Sequence, residues 1–380
     1  MAEKQNSGVT AQIRVKRCYG CGAILQDQYP DEKGYIPPEK FQKDEETLCQ
    51  RCYKLRHYSK FKEAPSLDNE YIKILNDAKA NNDLIVYVLN AFTMDSSIID
   101  DISSYLSDNV IAVINKKDIV SSLIKDNELI EKCEKLLALN NIKAKDILLT
   151  SQTNDSDNKI EEISKRINQL RNGKSVYFIG VNQVGKSSLV NSLLKIYKNK
   201  TDKMITTSPY PGTTLDVISI PLDEESYIYD TPGISNPHSI ISHIEPNIAR
   251  FLLPRERLTA KNETLKPGQS LIFSNLFRLD LLDGKKTTFT YYLSSDIPVV
   301  RINLTKADSY FENLKNEKDN IYLTQKISSF SDMTSSNLIA VNSKKNIIKI
   351  YGLGIITFTG DSQQIQLYTL NGVKVTHENE

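Results

Sequence analysis

Between residues 84 and 180, four short apolar runs alternate with segments whose apolar residues have helical spacing. The runs are continuous, and continuous apolar runs are typical of parallel strands that are buried on both faces of a sheet. The pattern therefore predicts an α/β fold with a parallel sheet. The runs are DLIVYVLN, NVIAVIN, DILLT and KSVYFIG, and the predicted helices lie near residues 95–107, 122–140 and 158–172.

From about residue 268 the pattern changes to short strands with alternating apolar and polar residues, separated by Gly, Asn and Asp turns. Such alternation is typical of antiparallel sheets that bury one face. It predicts a β-rich C-terminal domain with one helix near residues 306–316.

Four of the five cysteines form two CxxC pairs, Cys18 with Cys21 and Cys49 with Cys52. In a reducing compartment, two such pairs are suited to holding one tetrahedral Zn²⁺ through four thiolates. A redox site would need only one CxxC pair, and chance pairing of buried cysteines is the other alternative. Because four protein ligands leave no position for water, we expect a structural zinc site. Cys133 lies in an amphipathic helical pattern and is predicted to be an inert core residue.

A basic and aromatic stretch follows the fourth cysteine, and residues 51–62 contain no acidic residue. Cationic side chains bind phosphates and flat rings stack on unpaired bases, which favours contact with single-stranded or looped RNA. The alternative is a solvated helix that packs its rings on the zinc module, and both interpretations stay open. The side chains concerned are Arg51, Tyr53, Lys54, Arg56, His57, Tyr58, Lys60, Phe61 and Lys62.

The fourth apolar run ends in GVNQVGKS at residues 180–187, which matches the phosphate-binding loop in its strand-to-helix setting. Glycines allow the backbone N–H groups to surround a phosphate, and the helix N-terminus adds its dipole. Lys186 is predicted to reach the β- and γ-phosphates, and Ser187 to ligate Mg²⁺. The predicted nucleotide-contacting residues of the loop are Gly180, Asn182, Gln183, Val184, Gly185, Lys186, Ser187 and Ser188.

A second motif, Asn-Lys-Lys-Asp at residues 115–118, ends the run VIAVIN. The Asp118 carboxylate can accept hydrogen bonds from N1–H and the exocyclic amine of guanine, and adenine lacks that donor pattern. Asn115 is expected to brace the loop, and the stem of Lys116 to lie against the base. A polar turn is the alternative for this motif alone. Ser151, after the run DILLT, is a weaker base-side candidate through its backbone N–H.

Downstream, Asp-Thr-Pro-Gly at residues 230–233 ends another strand. Asp230 is predicted to hold Mg²⁺ through water, and the N–H of Gly233 to contact the γ-phosphate. Between this motif and the phosphate loop lies a polar segment that contains prolines and a glycine. Its Thr214 is our choice for the switch hydroxyl that ligates Mg²⁺, with Thr213 as the alternative. We assign the catalytic roles to Lys186 and Thr214.

The motifs occur in an unusual order along the chain. Guanine nucleotide-binding domains ordinarily run from the phosphate loop to DxxG and then to NKxD, whereas here NKKD at 115 precedes the loop at 180. Because the site depends on neighbouring strands, the same site forms when the old chain ends are joined and the chain is opened elsewhere. The sequence therefore predicts a circularly permuted GTPase that uses GTP, GDP and Mg²⁺.

These features together resemble the YqeH family of bacterial ribosome-assembly GTPases. The resemblance covers nearly the whole chain and is carried by CYGCG, CQRCYKLRHY, NKKD, DTPGI, IFSNLFRLDLL and YGLGIITF. It implies a role in maturation of the small ribosomal subunit and a β-rich, RNA-associated C-terminal domain. The implied partners are ribosomal RNA or a small-subunit precursor, together with an activating ribosomal partner.

Two departures from the expected motifs bear on hydrolysis. Related GTPases often carry Asn at the fourth position of the phosphate loop, where it helps to hold potassium, but here Gln183 stands there and argues against potassium activation. Ile234 follows DTPG where signalling GTPases use a glutamine to orient water. We therefore expect slow intrinsic hydrolysis that a partner accelerates. His238 and His243 follow in the same segment and are expected to make packing or partner contacts, with orientation of the attacking water as the alternative.

Composition adds a charge asymmetry to this picture. The chain has 380 residues and a net charge of +1, but residues 1–63 carry +3, residues 64–247 carry −6 and residues 248–380 carry +4. Basic ends, including the cluster Arg250, Arg255 and Arg257, favour an anionic partner such as RNA. No apolar run approaches the ~20 residues of a membrane span, and the polar N-terminus lacks a signal-peptide pattern, so a cytoplasmic protein is expected.

The predicted domains are a zinc module at 15–63, a permuted GTPase domain at 64–247 and a β-rich RNA- or ribosome-interaction domain at 248–380. The leading hypothesis for function is a GTP switch in ribosome assembly. The alternatives are a GTP-dependent RNA-modification factor and a protein-interaction module regulated by GTP.

Overall fold

The structure, a computed structural model, describes residues 25–30, 34–41, 50, 67–151, 158–197, 206–211, 213–314, 323–327 and 329–380. The chain divides into two compact units, and the larger comprises residues 63–201 and 208–380. The GTPase motifs and the β-rich region therefore belong to the same unit.

In the other unit, the described residues near the N-terminus form a small bridge and a short helix. Gln26 and Tyr35 pair in an isolated β-bridge, and helix α1 spans Pro38–Phe41. The predicted zinc ligands Cys18, Cys21, Cys49 and Cys52 lie outside the described residues, as do the basic and aromatic residues 51–62.

The predicted parallel sheet is present, and all of its strands except part of β5 belong to the larger unit. Its strand order is β3-β2-β1-β4-β7-β6-β5, with parallel pairing from β3 to β7 and antiparallel pairing of β7 with β6. Every residue of β1, β2 and β4 is buried, which explains their continuous apolar runs. The strands are β1 Leu84–Asn90, β2 Val110–Asn115, β3 Ile147–Leu149, β4 Val176–Ile179, β5 Thr206–Pro209, β6 Asp216–Pro221 and β7 Tyr227–Asp230.

Helices connect these strands, and two of the three predicted helices are confirmed as α4, Asp126–Leu139, and α5, Ile160–Arg171. The predicted helix near 95–107 is wrong, because that segment forms two short 3₁₀ turns, Asp95–Ser97 and Ile102–Tyr105. Its serines bond to backbone groups of the turn, which competes with regular helix formation. The helices are α2 Asn69–Ala80, α3 Lys117–Val120, α4 Asp126–Leu139, α5 Ile160–Arg171 and α6 Lys186–Tyr197.

The C-terminal region is β-rich, as predicted. Among its described residues, two five-stranded antiparallel sheets have the orders β12-β9-β10-β16-β13 and β17-β14-β15-β11-β8. The elements are α7 Pro246–Leu252, β8 Lys261–Leu265, β9 Gln269–Phe273, β10 Phe277–Asp283, β11 Thr287–Leu293, β12 Val299–Asn303, α8 Leu304–Leu314, β13 Met333–Ile339, β14 Lys345–Ile350, β15 Gly354–Thr359, β16 Gln364–Leu370 and β17 Val375–Asn379.

The core of the β-rich region extends back towards the DTPG motif. Ile240 and Ile244 belong to the same buried cluster as Phe277, Phe289 and residues of both sheets. The segment that follows the motif is thus part of this core. The division of domains at 247/248 stays a prediction.

None of the helices in the described ranges combines the length and the hydrophobicity that crossing a membrane requires.

Candidate nucleotide site

The two nucleotide motifs, 65 residues apart in the chain, meet in the structure. Strands β2 and β4 both lie beside β1 in parallel, so the turns that follow them share one edge of the sheet. The amide Nδ2 of Asn115 donates to the carbonyl of Val184 at 2.8 Å, and Nζ of Lys116 donates to the carbonyl of Gln183 at 2.9 Å. The permuted order thus produces a continuous site, as the sequence predicts.

Two glycines of the phosphate loop are required by backbone geometry and close packing. Gly185 has φ +89°, and a Cβ there would lie 2.4 Å from Nδ2 of Asn115. A Cβ at Gly180 would lie 2.5 Å from the carbonyl oxygen of Val88. A larger residue at either position would displace the loop from the neighbouring motif or strand.

The base side of the site is held by main-chain bonds between strand ends. The N–H of Lys117 donates to the carbonyl of Thr150 at 3.1 Å, which fixes the NKKD turn beside the Thr150-Ser151 turn. Ser151 is fully buried and Asp118 is half-buried at the start of α3. This arrangement places the predicted guanine-reading carboxylate and the predicted backbone donor on adjacent strand ends.

Lys116 shapes the turn between β2 and α3. Its backbone lies in the left-handed region with φ +61°, and its ammonium group donates to the carbonyl of Gln183 in the phosphate loop. Burial lowers the pKa of Lys116 to about 8, while the Asp118 carboxylate acts in the opposite direction. The contact of the Lys116 stem with the base stays a prediction.

The phosphate side contains a buried ion pair. Nζ of Lys186 lies 3.4 Å from Oδ1 of Asp230, and both side chains are almost completely buried. Ser187 is exposed in the first turn of α6, next to Lys186. The residues predicted to bind the β- and γ-phosphates and Mg²⁺ from the loop and from DTPG are thus adjacent.

The DTPG motif docks directly on the phosphate loop. The N–H of Ile234 donates to the carbonyl of Gly180 at 3.1 Å, and the N–H of Asn182 donates to the carbonyl of Ile234 at 2.9 Å. A Cβ at Gly233 would lie 2.8 Å from both Cα and Oδ1 of Asn182. Only glycine fits at position 233 without moving the loop.

The switch threonine is engaged elsewhere. The hydroxyl of Thr214 donates to Oε2 of Glu70 on α2 at 2.7 Å, and its N–H donates to the same oxygen at 3.1 Å. Thr213 bonds locally, donating to the carbonyl of Tyr210 at 3.0 Å. The role of Thr214 as a Mg²⁺ ligand stays a prediction.

The two histidines after DTPG contact protein groups. Nε2 of His238 lies 3.1 Å from Oδ2 of Asp100, and Nε2 of His243 lies 2.6 Å from the carbonyl of Pro237. The functional roles of both residues stay predictions.

Helix α2 supplies site residues that sequence reasoning missed. The hydroxyl of its Tyr71 lies 2.6 Å from Oγ1 of Thr231 in the DTPG motif, and the ring is fully buried. The detectable signal was the segment DNEYIKILNDAKA, where Asp68 caps a helix with an apolar stripe. Nothing in that pattern indicates that Glu70 and Tyr71 point to the nucleotide motifs.

Two buried oxygens test whether the site fits a nucleotide. Oδ1 of Asn115 has no hydrogen-bond partner among the described residues, and Oδ1 of Asp230 has none beyond its ion pair with Lys186 at 3.4 Å. Buried polar atoms are ordinarily paired, so these oxygens fit a ligand that brings donors to the base side and a hydrated cation to the phosphate side. Together with the close-packed glycines, they fit GTP and Mg²⁺.

Comparisons with known proteins agree with this geometry. A family model described as 50S ribosome-binding GTPase matches residues 175–272, and a family model described as YqeH-like, C-terminal matches residues 286–379. The chain is 31% identical over 359 residues to the uncharacterized protein YqeH of Bacillus subtilis (strain 168), covering 94% of this chain and 97% of that protein. The chain belongs to the YqeH family. The predicted family resemblance is confirmed.

Other relatives of this YqeH-family chain cover less of its length. NO-associated protein 1, chloroplastic/mitochondrial, of Arabidopsis thaliana is 24% identical in an alignment of 342 positions, gaps included, that covers 78% of this chain and 60% of that protein. GTPase Der of Aquifex aeolicus (strain VF5) is 28% identical in an alignment of 194 positions, gaps included, that covers 47% of this chain and 41% of that protein.

The YqeH-family chain is therefore a P-loop GTPase that hydrolyses GTP, followed by β-rich antiparallel sheets. Its GTPase domain implies GTP and GDP as ligands and Mg²⁺ as their metal. Within the described ranges, no group of three or more His, Cys, Asp or Glu side chains is arranged to hold a metal ion. The predicted zinc ligands lie outside those ranges.

Proposed function

We propose that this chain is a GTP-driven switch of ribosome assembly, acting in the cytoplasm on ribosomal RNA of small-subunit precursors. The observation that carries the proposal is the continuity between the γ-phosphate side of the site and the core of the β-rich region. The basic end segments of the chain and the matched family of ribosome-binding GTPases support an RNA-containing partner. That family description names the 50S subunit, whereas the resemblance in sequence favours the small subunit, so the test compares both particles.

The side chains divide the work of binding and hydrolysis. Asp118 accepts hydrogen bonds from guanine, Lys186 neutralises charge on the transferred phosphoryl group, and the N–H of Gly233 stabilises the γ-phosphate. When bound between Ser187 and Asp230, Mg²⁺ would supply further charge neutralisation at the phosphates.

Hydrolysis is expected to be slow without a partner. Ile234, where signalling GTPases place a water-orienting glutamine, is fully buried and paired with the phosphate loop. A bound partner is proposed to order the attacking water. This requirement would couple GTP hydrolysis to correct docking of the partner.

The segment after DTPG connects the nucleotide site to the β-rich region. Nδ2 of Asn236 donates to the carbonyl of Ser96 at 2.8 Å, beside the nucleotide-binding sheet. Four residues later, the N–H of Ile240 donates to the carbonyl of Tyr351 at 2.9 Å, between two strands of the β-rich region. A change in the position of DTPG can therefore move β-strand contacts without an intermediate element.

The predicted basic cluster lies close to the guanine side as well. Arg255 and Arg257 are exposed, and the next residue, Leu258, donates its N–H to the carbonyl of Ile119 in α3 at 2.9 Å. Helix α3 carries Asp118. RNA held by these arginines would consequently lie near the helix that reads the base.

Reversing the charge of this cluster should weaken RNA binding. We expect Arg255→Glu with Arg257→Glu to reduce affinity for small-subunit ribosomal RNA about tenfold at low salt and to flatten the dependence of affinity on salt, since two phosphate contacts are lost. The measurement is fluorescence anisotropy of labelled RNA across a salt series. Lys285→Glu with Lys286→Glu, which alters another basic pair of the same region, is the control. Unchanged affinity and slope in the arginine variant would contradict the assignment.

Removal of zinc should affect the proposed N-terminal module and leave GTP binding almost unchanged. Cys18→Ser with Cys49→Ser is expected to release bound zinc and to change GTP affinity less than twofold, because a structural site stabilises only its own core. Zinc content by metal analysis and GTP affinity by calorimetry are the two measurements. Purified wild-type protein without zinc would contradict this proposal.

A further inference from the structure

The first turn of α2 contacts both the predicted switch segment and the DTPG motif. Glu70 accepts two hydrogen bonds from Thr214, and the adjacent Tyr71 is bonded to Thr231. Thr214 lies in the polar switch segment and Thr231 directly follows the Mg²⁺ aspartate. One helical turn therefore lies against both nucleotide-responsive segments.

Tyr71 fixes this turn in place. Oγ1 of Thr231 donates to the carbonyl of Phe178 at 2.7 Å, so its bond of 2.6 Å with Tyr71 takes the tyrosine hydroxyl as donor. Burial raises the pKa of Tyr71, which keeps that donor protonated. The helix is thereby anchored to the strand that leads into the phosphate loop.

Glu70 holds Thr214 through a single carboxylate oxygen. Oε2 accepts both the hydroxyl, at 2.7 Å, and the backbone N–H, at 3.1 Å. Both bonds involve an ionised acceptor, which makes them stronger than neutral hydrogen bonds. Capturing the N–H as well as the hydroxyl fixes the backbone of the switch segment, and not only its side chain.

We propose that Glu70 is a positioning residue that holds Thr214 at helix α2 and competes with its recruitment to Mg²⁺ when GTP binds. The inference rests on the proposed role of Thr214 in the switch. Only the γ-phosphate and its Mg²⁺ would form a new contact with Thr214 after its release from Glu70. Glu70 therefore lowers the affinity for GTP and leaves the affinity for GDP unchanged. When only a fraction of the protein is in the state that can bind a ligand, the apparent affinity for that ligand is reduced by that fraction.

The test is the ratio of affinities for a non-hydrolysable GTP analogue and GDP, measured by calorimetry in Mg²⁺. Glu70→Ala is expected to raise this ratio about 5- to 20-fold, with GDP affinity changed less than twofold. Glu70→Gln, which keeps the size of the side chain and removes its charge, is expected to give a smaller rise in the same direction. Glu131→Gln removes an exposed carboxylate from α4 and is expected to leave the ratio unchanged. An unchanged or lowered ratio in both Glu70 variants would overturn the proposal.

Thr214→Val distinguishes failure of this inference from failure of the proposed switch. We expect this variant to lower the affinity ratio, and Glu70→Ala to have less than a twofold further effect in its background. If Thr214→Val lowers the ratio while Glu70→Ala alone does nothing, only the Glu70 inference is wrong. If Thr214→Val leaves the ratio unchanged, the assigned role of Thr214 and the inference both fail.

Discussion

Asp118→Asn should weaken GTP binding by about 100-fold and allow xanthosine triphosphate to bind in its place. The carboxylate accepts two hydrogen bonds from guanine, and loss of charged bonds of this kind costs about 3 kcal/mol. An amide can donate where the carboxylate only accepts, and xanthine offers an oxygen at the position of the guanine amine. Asp118 lies at the start of α3 next to the loop-contacting Lys116, so the exchange acts on the base side alone.

Competition binding of GTP, xanthosine triphosphate and ATP to the variant measures this exchange. Asp126→Asn is the matched control, because it removes the same charge from the next helix, where Asp126 pairs with Lys117 at 2.8 Å. The control should bind GTP within twofold of the parent protein. Retention of full GTP affinity in Asp118→Asn would show that another group reads the guanine.

Lys186→Ala should reduce GTP hydrolysis by about 1000-fold, since it removes the ammonium group that neutralises the transferred phosphoryl group. The same change leaves the buried carboxylate of Asp230 without its ion-pair partner at 3.4 Å. Removing one member of a buried pair destabilises a protein by about 3–5 kcal/mol. Single-turnover hydrolysis and urea unfolding measure the two effects separately.

The double variant Lys186→Ala with Asp230→Asn is the control that separates chemistry from folding. It removes the unpaired charge, so we expect it to recover part of the lost stability while remaining inactive. The salt dependence of RNA binding should persist in Lys186→Ala, because the exposed arginines are untouched. Hydrolysis at the parental rate in Lys186→Ala would exclude the assigned phosphate loop.

The nucleotide motifs could be predicted from the sequence because their chemistry imposes local patterns. The spacing of Gly180 and Gly185 is set by the length of the loop that must surround a phosphate. A side chain at Gly180 would collide with Val88, and one at Gly185 with Asn115, which explains why both positions are glycine. The apolar runs of β1 and β2 identified a doubly covered sheet because burial on both faces leaves no polar position. The circular permutation could be predicted from the order of the motifs alone.

The rest depended on tertiary contacts that leave little trace in local sequence. Strand β13, MTSSNLI, is mostly polar and exposed, so its pairing with β16 and not its hydrophobicity makes it a strand. The contact of Glu70 with Thr214 joins residues 144 positions apart. The serine-rich segment 95–105 satisfies its backbone through side chains and turns, which a helical pattern of apolar residues does not reveal.

Co-sedimentation with purified ribosomal subunits measures whether one GTP site controls attachment to the small subunit. The full chain is mixed with small or large subunits, or their precursors, in a non-hydrolysable GTP analogue or in GDP, at several salt concentrations. We expect attachment to small-subunit particles to differ at least severalfold between the two nucleotides and to weaken steeply with salt. Equal attachment in both nucleotides, or attachment to the large subunit alone, would contradict it.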